Sequence, residues 1–378
     1  MTNTQNPPRG KIAGTMLRTF SIPDSEFAHP EYRNRFAQWR KIRDCFEGED
    51  RIKEGTTTYL PHKDVQESSD YTRYLQRAVF VNFVARTIDT LTSAIFKRKE
   101  NFRVPARLSD FMEKCTDDGA SVRQLARWTV QELCLVSRAG LLLDLPSETS
   151  SIVNPYVSRF TTENIISWGA GVQPKWVLLR EINTGASNLF AQDYKGSFLL
   201  LALDANGDYC VARPSVSELN AIKSPEEMFT SGIKFSHPEI FGKRMKSIPF
   251  WFMGALENTS TVAKPLMLDI ANLNIAHYRN YADLETGRHY TGFPIYYIKS
   301  NEDASDEEEG ETVVKISPHN IWELGQDDDA GILEFSGGGL TSLENGLSEK
   351  EEHMRSMGAT ILSNRANAAA RSNANEEH

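Results

Sequence analysis

The chain has 378 residues, a formal net charge of −9, 40% hydrophobic and 25% charged residues. That length exceeds what one hydrophobic core fills, so more than one sub-domain is expected, and no apolar run reaches the length that spans a bilayer. The acidic balance argues against a protein that grips nucleic acid over its whole surface, because such binding needs Lys and Arg to neutralise phosphates; it leaves open a passage through which duplex slides.

Residues 1–14, MTNTQNPPRGKIAG, are polar, rich in Pro and Gly and without the apolar region of a secretory signal, which favours a flexible arm over 1–30. A helix is predicted over 31–47, with Phe36, Trp39, Ile42, Arg43 and Phe46 on one face and Gly48 as its end. A longer one follows over 70–97, where Leu75, Val79, Phe83, Ile88, Leu91 and Ile95 make a buried stripe. The third, 121–136, carries Val122, Leu125, Trp128, Val130 and Leu133 and leads into a short buried strand, 140–144, closed by Pro146. From 154 to 252 the pattern changes to short β-rich runs at 165–168, 176–181, 198–203, 209–212 and 248–252. A turn at 204–208 separates two of them, with Asn206-Gly207 offering the positive φ angles of a tight hairpin.

Residues 264–284 read as one long helix. Leu266, Ile270 and Leu273 recur at i, i+4 and i+7, while Asp269, Asn272, Asn274, His277, Arg279, Asn280 and Asp283 fill the rest of the cylinder. Only a narrow stripe is then expected to be buried, which suits an amphipathic surface helix or a helix repeated around a ring. Strands are predicted at 293–299 and 311–316, flanking an acidic excursion. Its seven carboxylates, Glu302, Asp303, Asp306, Glu307, Glu308, Glu309 and Glu311, repel one another and must project into solvent. Asp327-Asp328-Asp329 forms a second acidic turn. A last helix follows the glycines at 337–339 and runs through Leu343, Leu347, Met354, Met357 and Ile361, with Thr341 and Glu344 as a capping box. The stretch 363–378, rich in Asn, Ala, Ser and Arg, reads as a mobile loop or the start of another helix.

Catalytic signatures do not emerge. The glycines at 337–339 lack the Lys-Ser/Thr of a P-loop, the eight His residues form no HExxH pair, and no GxSxG elbow occurs. Cys45, Cys115, Cys134 and Cys210 form no CxxC and read as reduced packing residues. The expectation is therefore no cofactor, no metal and no enzyme, and a cytoplasmic α/β enzyme returns only if a converging polar pocket exists.

The order of segments, from YLQRAVFVNFVARTIDTLTSAIFKR through DDGAS, RAGLLLDLP, NPYVSRFTTENIISW, VLLRE and SIPFWFMGA to KPLMLDIANLNIAHYRNYADLE, resembles the portal proteins of tailed bacteriophages, over about 32–362. The resemblance implies an α+β fold: a wing over 31–255 made of helices and a mixed α/β unit, a stem helix over 264–290, a small α/β clip over 291–335 and a second stem helix over 340–362. Residues 363–378 would be the channel loop or the start of a wing helix, with the crown absent from this chain. It further implies a homo-oligomeric ring, dodecameric in the family, at one capsid vertex, made in the host cytoplasm and carried in the virion. Double-stranded DNA would pass through it without sequence specificity during packaging and ejection. Its partners would be the terminase large subunit, a head-completion or adaptor protein, and the major capsid and scaffolding proteins, with no membrane. By the same resemblance His277, Arg279, Arg288, His289, Asn364, Arg365 and Arg371 are DNA-channel candidates, and the seven carboxylates of 302–311 are candidates for docking motor or adaptor. Arg279 and Arg288 could instead pair with Asp283 or Glu285 between subunits. Another head or neck adaptor protein is the neighbouring alternative.

Overall fold

The computed structural model describes residues 25–63, 68–98, 103–144, 155–171, 173–186, 192–240, 242–292, 295–299, 329–333 and 338–376. The chain forms two compact units. The first comprises Met1–Gly55, Phe80–Ile275 and His353–His378; the second comprises Thr56–Val79 and Ala276–Glu352. Both are mixed α/β, in keeping with an α+β class.

In the first unit, helix α1 (Pro30–Glu47) starts where His29 Nδ1 accepts the Glu31 amide and Pro30 supplies a pre-set φ. It ends at Gly48, whose φ of 107° lies in the region that favours glycine. Tyr32, Phe36, Trp39, Ile42 and Cys45 form its buried face. After α2 (Glu49–Glu54) and α3 (Ser68–Arg77, in the second unit) comes α4 (Phe83–Ile95). The single helix expected over 70–97 is thus two helices. The interruption has a side-chain cause: Asn82 caps α4 by accepting the Ala85 amide at 2.8 Å, and Asn274 donates to the Val81 carbonyl at 2.9 Å while accepting the Phe83 amide at 3.1 Å. These bonds replace the helical ones that 78–82 gives up.

Beyond the short α5 (Ser109–Glu113), helix α6 (Val122–Val136) opens on a reciprocal Ser121–Gln124 capping box and closes at Ser137, which is left-handed at φ 65°. Strand β1 (Arg138–Asp144) follows at once and pairs antiparallel with β2 (Tyr156–Thr161) and with β9 (Phe250–Gly254), giving the order β2-β1-β9. Gly140 sits opposite Phe160 and Phe252, and a Cβ there would run into the Phe250 ring. A second antiparallel sheet has the order β3-β4-β5-β6, from Ile165–Trp168, Trp176–Ala186, Gln192–Leu203 and Tyr209–Ala212. The 204–208 turn is present, but Gly207 alone takes a positive φ; Asp204 Oδ1 organises the loop by accepting the Asn206 and Asp208 amides. Helix α7 (Val216–Ala221) and a ribbon of β7 (Glu239–Ile240) with β8 (Lys243–Arg244) complete this unit's smaller elements.

Two buried ionic features mark the first unit. Arg43 on α1 pairs with Glu132 on α6 at 2.6 Å and with Glu163 in the turn after β2. Arg138, at the start of β1, lies with its guanidinium 4.0 Å from the Trp168 ring and 4.6 Å from the Phe252 ring, and none of its nitrogens has a hydrogen-bond partner among the described residues. Burial pushes its pKa down to about 9, only partly opposed by Glu31.

Candidate functional site: a helix pair closed by a two-stranded ladder

Helix α8 runs over Leu268–Thr291, starting later than the expected 264. The delay has a tertiary cause. The Ser137 hydroxyl donates to the Lys264 carbonyl and accepts the Leu266 amide at 3.0 Å, which together with Pro265 keeps this stretch out of the helix until a turn at 266–267 leads into it. After α8, strand β10 (Ile295–Lys299) pairs antiparallel with β11 (Asp329–Leu333), from Ile295↔Leu333 to Lys299↔Asp329. The partner strand is therefore 329–333, including one residue of the expected acidic turn; the strand expected at 311–316 lies outside the described residues. Helix α9 (Gly338–Glu376) then continues unbroken for 39 residues. Thr341 is inside its first turns rather than at its start, so the expected Thr341–Glu344 box is not the cap, and Glu344 pairs with Arg288 instead. Residues 363–376 continue this same helix, so they are neither the expected loop nor the start of a separate one.

Within the second unit, α8 and α9 run antiparallel: His277 Nε2 is 3.4 Å from Glu351 Oε1, and Arg288 reaches Glu344 at 2.7 Å. Gly287 lies against the Leu340 side chain, where a Cβ would clash. The other side of α8 is braced by 56–79. Tyr74 donates to Asp283 Oδ1 at 2.8 Å, Lys63 pairs with the same oxygen at 2.9 Å, and Arg279 Nε donates to the Tyr59 carbonyl at 2.8 Å.

The polar face predicted to meet water is divided: Asp269, Asn272 and Arg279 are exposed and Asn280 and Asp283 half-buried, but two of its members are inside. Asn274 and His277 are fully buried, as are Tyr278 and Ala282, while Leu273 is only half-buried. His277 therefore does not offer its ring to a channel wall; burial lowers its pKa, and Glu351 opposes that shift. Arg279 is exposed but bonded to Tyr59. Arg288 is half-exposed and pairs within its own chain with Glu285 at 3.0 Å as well as with Glu344, so the expected partner Glu285 is found, but not across subunits. His289 is half-buried beside the Tyr290 ring. Asn364, Arg365 and Arg371 lie on the C-terminal part of α9. Glu302, Asp303, Asp306, Glu307, Glu308, Glu309 and Glu311 lie outside the described residues.

Sequence reasoning passed over Asn274 as a structural brace and the Lys63–Tyr74–Asp283 cluster. For Asn274 a signal existed: a carboxamide between Ile270 and Tyr278 on a helix needs partners if its neighbours are buried. For the cluster there was none, since Asp283 lies 209 positions from Tyr74. Chemical options are narrow. Burial raises the Cys45 and Cys115 thiols, and that of Cys210 to about 11, so none is primed as a nucleophile. Among the described residues no group of three or more His, Cys, Asp or Glu could hold a metal ion, and no helix is long and apolar enough to cross a membrane.

Residues 265–378 match a family model described as Domain of unknown function (DUF4055), which covers under a third of the chain and spans α8, the β10–β11 ladder and α9. No curated protein matches the chain.

Proposed function

We propose that this chain is a portal subunit of a tailed bacteriophage, assembling into a ring through which double-stranded DNA passes. The observation that carries the reading is the order helix, strand, strand, helix at the C-terminal end. Its helices have 24 and 39 residues, or about 36 and 58 Å at 1.5 Å per residue. Two long helices joined through a small ladder are what a stem and clip require. Self-association has support in the first unit. The outer edge of β9 has no backbone partner among the described residues, and Trp251 on it is 52% exposed, with Leu256 nearby at 85%. An open edge bearing an exposed indole is a ready pairing surface. On this reading the ring takes terminase and an adaptor as partners at its clip and contributes no catalysis of its own.

Negative-stain electron microscopy of the purified chain, with its mass from light scattering, tests this. Closed rings with a hole wide enough for duplex are expected. A monodisperse monomer or dimer, in a sample whose C-terminus is confirmed by mass spectrometry, would overturn the reading and favour a protein that acts alone.

A further inference from the structure

Residues 25–29 form a strap that lies on the first unit just ahead of α1. The His29 amide donates to the Ile166 carbonyl of β3 at 3.1 Å, Arg33 donates to the Ala28 and Glu26 carbonyls at 3.1 and 2.9 Å, and the Phe27 ring meets Phe198 of β5 edge-on. The His29 ring joins strap to helix and to sheet. Its Nδ1 caps α1 by accepting the Glu31 amide at 3.2 Å, and its face stacks on the Trp168 indole with ring centres 4.1 Å apart and planes 16° from parallel. The same indole has the buried Arg138 guanidinium 4.0 Å from its centre. A stacked imidazole fills one face of the indole, so the guanidinium takes the other, with the Phe252 ring 4.6 Å from it.

Both contacts of the ring depend on its being neutral. A proton on Nδ1 would set donor against donor at the Glu31 amide and remove the cap. An isolated imidazolium would gain from an indole face, but here a second cation would join one already held on the opposite face. Burial, opposed by Glu31 on the ring's own helix and reinforced by Arg138 from β1, holds the His29 pKa below the ordinary histidine value. The strap's other titratable group is Glu26, whose pairing with Lys223 lowers its pKa, so it stays charged while His29 titrates. A ring whose pKa is lower when docked takes up its proton more readily once released, so acid favours release. We infer that His29 is an acid-sensitive latch: its protonation frees the 25–29 strap from β3 and unwinds the first turn of α1. The rest of the first unit stays folded, because the buried face of α1 begins at Tyr32. The inference stands on this stack alone and holds whether or not the chain closes into rings.

Hydrogen–deuterium exchange of the full chain tests this, read by mass spectrometry on the peptide covering 25–33 at about pH 7.5 and about pH 5.5, on either side of the ordinary histidine value, with intrinsic exchange rates divided out. Protection of this peptide should fall about fivefold or more at the lower pH, while peptides from α6 and β4 keep theirs. His29→Asn keeps a capping acceptor but takes up no proton in this range, so its strap should hold the same protection at both pH values. His29→Phe keeps a stacked ring without cap or charge, and should show lower protection that is equally indifferent to pH. Unchanged protection of the wild-type strap, or a fall that persists in both His29 variants, would overturn the proposal. So would a fall shared by the α6 and β4 peptides, which would mean that the whole unit opens and that no latch acts on the strap alone.

Discussion

The two units differ in the charge they take out of water. In the first, two guanidinium groups are interior: Arg43 lies between Glu132 and Glu163, and Arg138 is held between two aromatic rings, while pairs such as Arg213–Glu181 and Lys223–Glu26 stay at the surface. In the second, the ion pairs of Arg288 and Lys63 are solvent-facing, and the buried polar groups include Tyr71, Tyr74, Tyr278 and His277. Charge that is taken out of water must be matched or it is costly, whereas charge at the surface contributes little either way. The first unit is therefore the one whose fold substitution of a buried charge should break, and the second the one whose surface pairs can be replaced at little cost to the fold.

The largest effect should come from Arg43→Ala. It leaves Glu132 and Glu163 buried side by side without their counter-ion, and removing one partner of a buried pair costs about 3–5 kcal/mol. Urea denaturation of the first unit's transition measures it. Adding Glu132→Gln and Glu163→Gln to Arg43→Met should recover much of the loss, since the triad is then replaced as a set. If Arg43→Ala shifts the midpoint no more than a surface substitution does, the contrast between the units is wrong.

Arg138 sharpens the same point with the opposite sign. Its cation–π contacts offer about 2 kcal/mol when desolvated, against a desolvation penalty of several kcal/mol for an ion. Arg138→Met, which keeps the stem and removes the charge, should leave stability unchanged or raise it by about 1–2 kcal/mol. A loss of more than that on replacement would mean that the guanidinium is matched in solution by a group the fold brings to it. The titration gives an independent check: the folded value near 9 lies below the ordinary arginine range, so the unfolded chain binds more protons in between, and wild type should gain stability over Arg138→Met as pH rises above about 9.

How far these features could be read from sequence differs by region, for a physical reason. Helix α1, the Ser121-capped α6, β3 and β6 are specified by local pattern, because caps, turns and periodicity act within a few residues. The break at 78–82 is only partly local: Asn82 caps α4, but the other bonds that hold it come from Asn274, almost two hundred positions away. The pairing of β10 with 329–333 is likewise settled by a partner beyond a long intervening segment. On α8, composition pointed to an exposed polar face, and the burial of Asn274 and His277 follows from neighbours that periodicity cannot count. Of the channel candidates, His277 is buried for that reason, while Arg279 and Arg288 are exposed and have partners within the chain, the Tyr59 carbonyl for Arg279 and Glu285 and Glu344 for Arg288.

His277 gives a smaller, pH-resolved test of the second unit. Its folded pKa lies below the ordinary histidine value because of burial, with Glu351 raising and Lys350 lowering it in lesser measure. A depressed value means that the unfolded chain binds the proton more readily. The contribution to stability is complete above the ordinary value near 6.5 and is lost as pH falls through the folded one. Wild type should therefore weaken between pH 7.5 and 5 more than His277→Gln does, as read from urea midpoints at each pH. Parallel pH profiles for the two proteins would show that His277 is not held in this environment.

The smallest effect belongs to Arg288, and its smallness is informative. The side chain is 46% exposed and its partners Glu285 and Glu344 are 30% and 47% exposed, so the two pairs sit in solvent and together contribute within the 0–1 kcal/mol range of surface bridges. Arg288→Ala should shift the denaturation midpoint by that amount at most, and the shift should vanish in about 1 M salt, where the Debye length falls to about 3 Å. Arg288 therefore separates two roles that a buried arginine would confound. If the proposed ring exists and this residue faces its channel, Arg288→Ala should alter DNA retention in assembled particles while melting and ring formation stay the same. If retention and stability are both unchanged, Arg288 is only a link between α8 and α9, and the DNA-facing role falls to Arg365 and Arg371 on the later turns of α9, to be tested by the same substitution.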